Sequence, residues 1–226
     1  AAGAPAAEAR RRALRLALPP TLRRPLHPLL DPATPQHRFE VDGYRTKGAV
    51  VGAVALLAAA AGLRRRAAEA VEQALDELLL NALLDAPLDG AGRPRHLQLA
   101  PSERAALLAP PGERAEVRCG GDSQRFVITV RDRFGSLRRG TVLAYLERCA
   151  RARAARADPL EQQSGGSGVG LYLIASCCSE LLFRLRRGRL TEVVCAVTTR
   201  PGPLQLQALY IDDDQPGAAA PGEGRD

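Results

Sequence analysis

The chain has 226 residues, 46% of them hydrophobic and 25% charged, with a formal net charge of +7. That length suits one domain of ordinary size with tails, and the composition is globular rather than disordered. The 32 basic residues include a single lysine, Lys47, and arginine is enriched together with alanine, glycine and proline. The positive charge therefore reads as compositional background, and a nucleic-acid partner is not the default expectation.

Cys119, Cys149, Cys177, Cys178 and Cys195 show neither CxxC nor Cys/His ligand spacing. This argues against a disulfide framework or a zinc site and suits reduced thiols in a cytoplasm. Arg10 to Arg12 lead only into a short, proline-interrupted apolar stretch, which is no secretory signal. The longest uncharged run, Gly48 to Leu63, is alanine-dominated and shorter than the ~20 apolar residues of a membrane span. A soluble, cytoplasmic protein is expected, and the absence of Met predicts further residues upstream of Ala1.

In chain order, residues 1–35 read as an Ala/Arg/Pro-rich flexible arm, with one short helix around Ala7 to Leu18. Residues 36–200 read as the compact domain. Within it, His37 to Val41 is a strand and Thr46 to Ala61 a helix ended by Gly62. Leu63 to Leu84 is a second helix, with Val71, Leu75, Leu78 and Ala82 along one face. Ala115 to Arg118 and Arg125 to Val130 form a hairpin around Gly120-Gly121-Asp122-Ser123. An Arg-laden helix over Leu137 to Arg156 is followed by a Gly/Ser loop, Gln162 to Gly168, and a helix over Val169 to Ser179. Leu181 to Leu185 and Thr191 to Val197 make a second hairpin. Residues 201–226 read as a Pro/Gly-rich acidic tail, within which Leu204 to Ile211 could add an edge strand. This order predicts a two-layer α/β sandwich: a mixed, mostly antiparallel sheet with helices on one face.

Three constellations could carry chemistry. Glu77 and Asn81 stand one helical turn apart on the same side, beside the apolar stripe. A carboxylate there can polarise a hydroxyl or water, and an amide oxygen can ligate Mg²⁺; the same pair also suits a solvated helix face. Gly166-Ser167-Gly168-Val169-Gly170-Leu171 opens a helix, where backbone N–H groups can approach phosphates. It follows neither the dinucleotide-fold layout nor the P-loop ending, and a plain loop-to-helix junction is its other reading. Asp132 ends the apolar stretch Phe126 to Val130 and could accept the exocyclic amine of adenine, or simply start a turn.

Taken together and in this order, the three motifs resemble the GHKL (histidine kinase-like, Bergerat-fold) ATPase superfamily over residues 37–200. Glu77-Leu78-Leu79-Leu80-Asn81-Ala82 is similar to its N box, Val130 to Gly135 to its G1 box, and Gly166 to Leu173 to its G2 box. The resemblance implies ATP and Mg²⁺ as cofactors. Asn81 would hold the metal and Asp132 would bind adenine, with Gly135 of the same box and Thr191 beside the nucleotide. Gly166, Gly168 and Gly170, with Leu171 opening the helix, would cradle phosphates, and Glu77 would be the general base. The G1 box departs from the family's Asp-x-Gly-x-Gly: Phe134 and Ser136 stand at the glycine positions, and Gly135 is out of phase. Residues 137–165 would form the ATP lid.

No His-Glu/Asp-x-x-x-Pro pattern surrounds His27, His37 or His96. The strand–helix–helix entry is closest to anti-sigma-factor serine kinases and stand-alone histidine-kinase-like ATPase domains, which are bacterial signalling modules. The resemblance thus implies ATP or ADP as ligand and a regulatory partner protein, phosphorylated on serine if the module is a kinase; a homodimer is left open and no membrane is involved. The alternative is a degenerate GHKL domain that binds a partner protein with weak or no nucleotide binding. A third reading is a phosphate-backbone binder using the arginines of the arm and lid.

Overall fold

The computed structural model describes residue 30 and residues 34–96, 98–122, 124–154, 174–175, 178–199, 206 and 208–213. The G2-type glycines Gly166, Gly168 and Gly170, with Leu171, lie outside the described residues, as do the arm helix and most of the tail.

The first strand, β1 (Gln36–Val41), leads into helix α1 (Tyr44–Ala60). Thr46 fixes this corner: its hydroxyl donates to Asp42 Oδ1 at 2.7 Å and accepts from the Gly43 N–H at 3.1 Å. The helix ends as the glycine predicts. Gly62 has φ +91°, its N–H donates to Ala59 O at 3.0 Å, and the Leu63 N–H donates to Ala58 O at 3.1 Å. These two bonds form a Schellman motif, closed by burial of both Leu63 and Ala58.

Helix α2 (Arg65–Leu80) buries Val71, Leu75 and Leu78, and Ala82 continues the stripe. The helix expected over 63–84 is corrected at its end: Asn81–Asp85 forms a π-turn, in which the Ala86 N–H donates to Asn81 O at 2.8 Å. Pro87, lacking an N–H, cannot extend the ladder. A short helix α3 (Pro101–Ala106) adds an element that the periodicity did not announce. Pro101 occupies its first position, and Glu103 accepts from the Ala100 N–H at 2.7 Å.

Strands β2 (Ala115–Gly121) and β3 (Arg125–Asp132) follow, each longer than expected, so that Asp132 is itself a strand residue. Helix α4 spans Arg139–Ala154, then come β4 (Glu180–Arg186), β5 (Leu190–Thr198) and β6 (Ala208–Asp213). The six strands form one sheet in the order β1-β2-β3-β5-β4-β6, antiparallel except for the parallel β4–β6 pair. The sheet thus runs past residue 200, and the edge strand is Ala208–Asp213.

The architecture is the expected α/β sandwich with helices on one face. Alternation along each strand sends Val117, Cys119, Phe126, Ile128, Phe183 and Cys195 into the main core, where α1 and α2 pack. Leu30, Val127, Leu182, Val194 and Ala196 make a second, smaller cluster on the opposite face. Cys119, Cys178 and Cys195 are buried free thiols, and burial pushes Cys119 up to about 12, an unreactive packing residue.

Candidate functional site

The end of β3 divides its chemistry between two faces. Asp132 shares the parity of Phe126, Ile128 and Val130 and therefore faces the helices, whereas Arg131 faces the other way. Only 6% of Asp132 is exposed, and its register partner on β5 is Thr191. Burial pushes the Asp132 carboxyl above its usual range, against the N–H groups of Phe134 and Gly135 and the nearby Thr191, which favour the charged form. The Phe134 and Gly135 amides both donate to Oδ1, at 2.8 and 3.2 Å. Asp132 therefore does start a turn, as one of its two readings had it, while its carboxylate stays buried on the helix side. The Thr191 hydroxyl is also buried and has no well-formed hydrogen bond. A buried carboxylate and a buried hydroxyl thus stand side by side on adjacent strands, the hydroxyl close enough to favour the charged carboxylate.

Glu77 and Asn81 are half-buried at the end of α2, and the π-turn that Asn81 opens packs against β3. Wide turns of this kind recur at functional positions, because they rotate the side chains that follow. Burial raises Glu77 above the usual carboxylate range; Asp76 and Asp85 add to this, and Lys47 opposes it. Lys47, on the inner face of α1, forms an ion pair with Asp76 and lies 5.4 Å from the Tyr44 ring centroid. The only lysine of the chain is thus a charged element beside the candidate base, a role that no sequence motif marked. Its isolation among arginines was the available signal.

Two contacts draw the loops together. The Arg95 guanidinium sits 5.7 Å from the Phe134 ring centroid, which brings the segment after the π-turn against the segment after β3. Gly135 has φ +57°, and a Cβ there would lie 2.0 Å from Arg186 O. The Gly188 N–H of the β4–β5 turn donates to Gly135 O at 3.1 Å. The glycine that stood out of phase in the G1-like box therefore serves a backbone joint with this hairpin. Glu77, Asn81, Asp132, Gly135 and Thr191 are all among the described residues; Gly166, Gly168, Gly170 and Leu171 are not.

These features define a two-layer α/β protein whose central strand ends in a buried carboxylate beneath a helix pair. No protein-family model matches the chain, and no curated protein matches it. Among solved structures, the crystal structure of the SiaB–SiaC complex from Pseudomonas aeruginosa contains a similar chain. The two are 16% identical with a TM-score of 0.47, over 71% of this chain and 88% of that one.

Proposed function

We propose that the chain is an ATP–Mg²⁺-binding signalling module of the histidine-kinase-like type that acts on a serine of a partner protein. The observation that carries the proposal is the pairing of Asp132 with Thr191. A buried carboxylate beside a buried hydroxyl that makes no well-formed hydrogen bond suits a ligand offering an amine and a ring nitrogen, as adenine does. ATP–Mg²⁺ would supply the transferable phosphoryl group. Asp132 and Thr191 would hold the base, and the Asn81 amide oxygen would serve the metal. Glu77, with its raised pKa, would take the proton from the partner's serine hydroxyl.

One observation favours the alternative, a degenerate domain that binds a partner protein with weak or no nucleotide. Asp132 Oδ1 is already engaged by two loop amides, and the Phe134 ring stacks with Arg95 where the related boxes have glycine. Calorimetric titration of ATP, with and without Mg²⁺, separates the two. The nucleotide reading expects a Kd on the order of micromolar, weakened at least about tenfold by Asp132→Asn. Glu77→Ala should bind as before and lose any transfer or hydrolysis. No heat at millimolar ATP would leave the interaction module as the better description.

A further inference from the structure

A cavity of about 460 Å³ opens on the sheet face that the main helices do not cover. Arg114, Arg131, Arg133, Arg186 and Arg189 line it, contributed by the approach to β2, the end of β3 and the β4–β5 hairpin. Two carboxylates, Glu40 and Glu116, also line it, but both are already engaged. Glu116 pairs with Arg38 and Arg118, each at 2.6 Å, and Glu40 pairs with Arg114 at 3.4 Å and Arg38 at 3.7 Å. Arg186 is bound to Asp212 at 2.8 Å. Arg131, Arg133 and Arg189 make no ion pair among the described residues, Glu192 opposite Arg131 on β5 being paired with Arg184, and five guanidiniums against two lining carboxylates leave the cavity cationic.

Arg114 Nε and Arg131 Nε are buried there with no hydrogen-bond acceptor. Buried guanidinium N–H groups are rarely left unmatched, because desolvation without a partner is costly. What is missing is an anionic acceptor. Guanidinium forks favour phosphate oxygens, which accept two parallel N–H bonds, and several forks around one cavity favour more than one phosphate. The volume is within the range of small-molecule sites and exceeds what a single phosphate fills.

We infer that this cavity binds a small diphosphate-bearing anion, at a site separate from the Asp132–Thr191 pair. Alternation along β3 enforces the separation, since Arg131 and Asp132 are consecutive and point to opposite faces. The diphosphate could be inorganic or part of a nucleotide, so the full chain is titrated with pyrophosphate and with ADP in separate arms. Pyrophosphate should bind, with affinity at least about tenfold weaker in Arg131→Gln/Arg133→Gln and unchanged in Asp132→Asn. Binding of pyrophosphate alone identifies a free diphosphate. Binding of ADP that also survives Asp132→Asn and is lost in the arginine variant identifies a nucleotide diphosphate. Arg189→Gln, in the exposed hairpin turn, gives an independent variant with little bearing on folding and should weaken binding several-fold. Melting curves establish that each variant is folded. The inference is overturned if pyrophosphate does not bind at millimolar concentration in low salt, if both arginine variants bind as wild type does, or if Asp132→Asn abolishes binding. Failure of ATP to bind at Asp132 and Thr191 would leave the pyrophosphate result unaffected, so the two proposals fail separately.

Discussion

At the scale of single residues, Asp132 shows a group whose burial works against stability. Its folded-state pKa lies above the unfolded value, so the folded protein holds that proton more tightly. Stability then falls as pH rises from the ordinary aspartate range, about 3.9, through the raised value. Asp132→Asn keeps an oxygen for the Phe134 and Gly135 amides and removes the buried charge. At neutral pH and without ligand, the variant is expected to melt above wild type, by about 2–4 °C for each kcal/mol relieved. The difference should shrink as pH is lowered toward the ordinary aspartate value. Thermal melts across that range provide the measurement, and a variant that melts lower at neutral pH would show that the amide bonds need the charge. Gain in stability together with loss of nucleotide would mark the carboxylate as functional.

The two glycines with positive φ at α1 and at the β3 exit differ in a way that sequence cannot show. Gly62 has open space around it, whereas Gly135 is pressed against the Arg186 carbonyl. Gly62→Ala should cost about 1 kcal/mol, the usual left-handed penalty. Gly135→Ala adds a backbone clash to that penalty and should cost at least about 3 kcal/mol or prevent folding. Urea denaturation of both variants tests the contrast.

Among the elements, the β4–β5–β6 side of the sheet depends on a charged network. Arg184 and Glu192 are 9% and 2% exposed and form an ion pair, and Arg184 Nε reaches Asp212 of β6 at 3.4 Å. Removing Glu192 takes the nearest carboxylate from a buried guanidinium that keeps its contact with Asp212. Glu192→Ala is expected to destabilise by about 1.5–3 kcal/mol, more than a double replacement of Arg184 and Glu192 by leucine. Denaturation midpoints of the single and double variants decide the order.

Much of this architecture was legible because it is local. The i, i+4, i+7 spacing of Val71, Leu75 and Leu78 marks the buried face of α2, and Gly62 marks the end of α1. The hairpins announce themselves through glycine and polar turns. What was not legible depends on distant partners. The π-turn at Asn81–Asp85 follows from packing against β3 as well as from Pro87. Helix α3 did carry local signals, Pro101 and Glu103, but has no buried residue and so no periodic face. At the candidate site, Asp132 and Asn81 stood out by residue type and order. The joint between Gly135 and the hairpin, and the pairing of Lys47 with Asp76, depend on contacts between segments that no local spacing encodes.

For the whole molecule, the net charge of +7 does not say how the charges are placed in space. Along the β1 and β2 side, arginines and glutamates neutralise one another: burial works to raise Glu116, and Arg118 and Arg38 outweigh it, holding its carboxyl below the usual range. At the open-face cavity, Arg131, Arg133 and Arg189 have no ion pair of this kind among the described residues. The cavity's lining comes from four stretches of chain, so no window of the sequence could reveal it.

The eight-residue register between β3 and β5, from Arg125↔Thr198 to Asp132↔Thr191, carries a further consequence. A strand's side chains alternate, so a slip of a single position would interchange its two surfaces. Here the exchange would be chemical as well as steric: a guanidinium would enter the oily interior and a carboxylate would emerge among arginines. Insertion or deletion of one residue within β3 would therefore invert the polarity of the protein at its centre, an error that loop changes elsewhere could not repair.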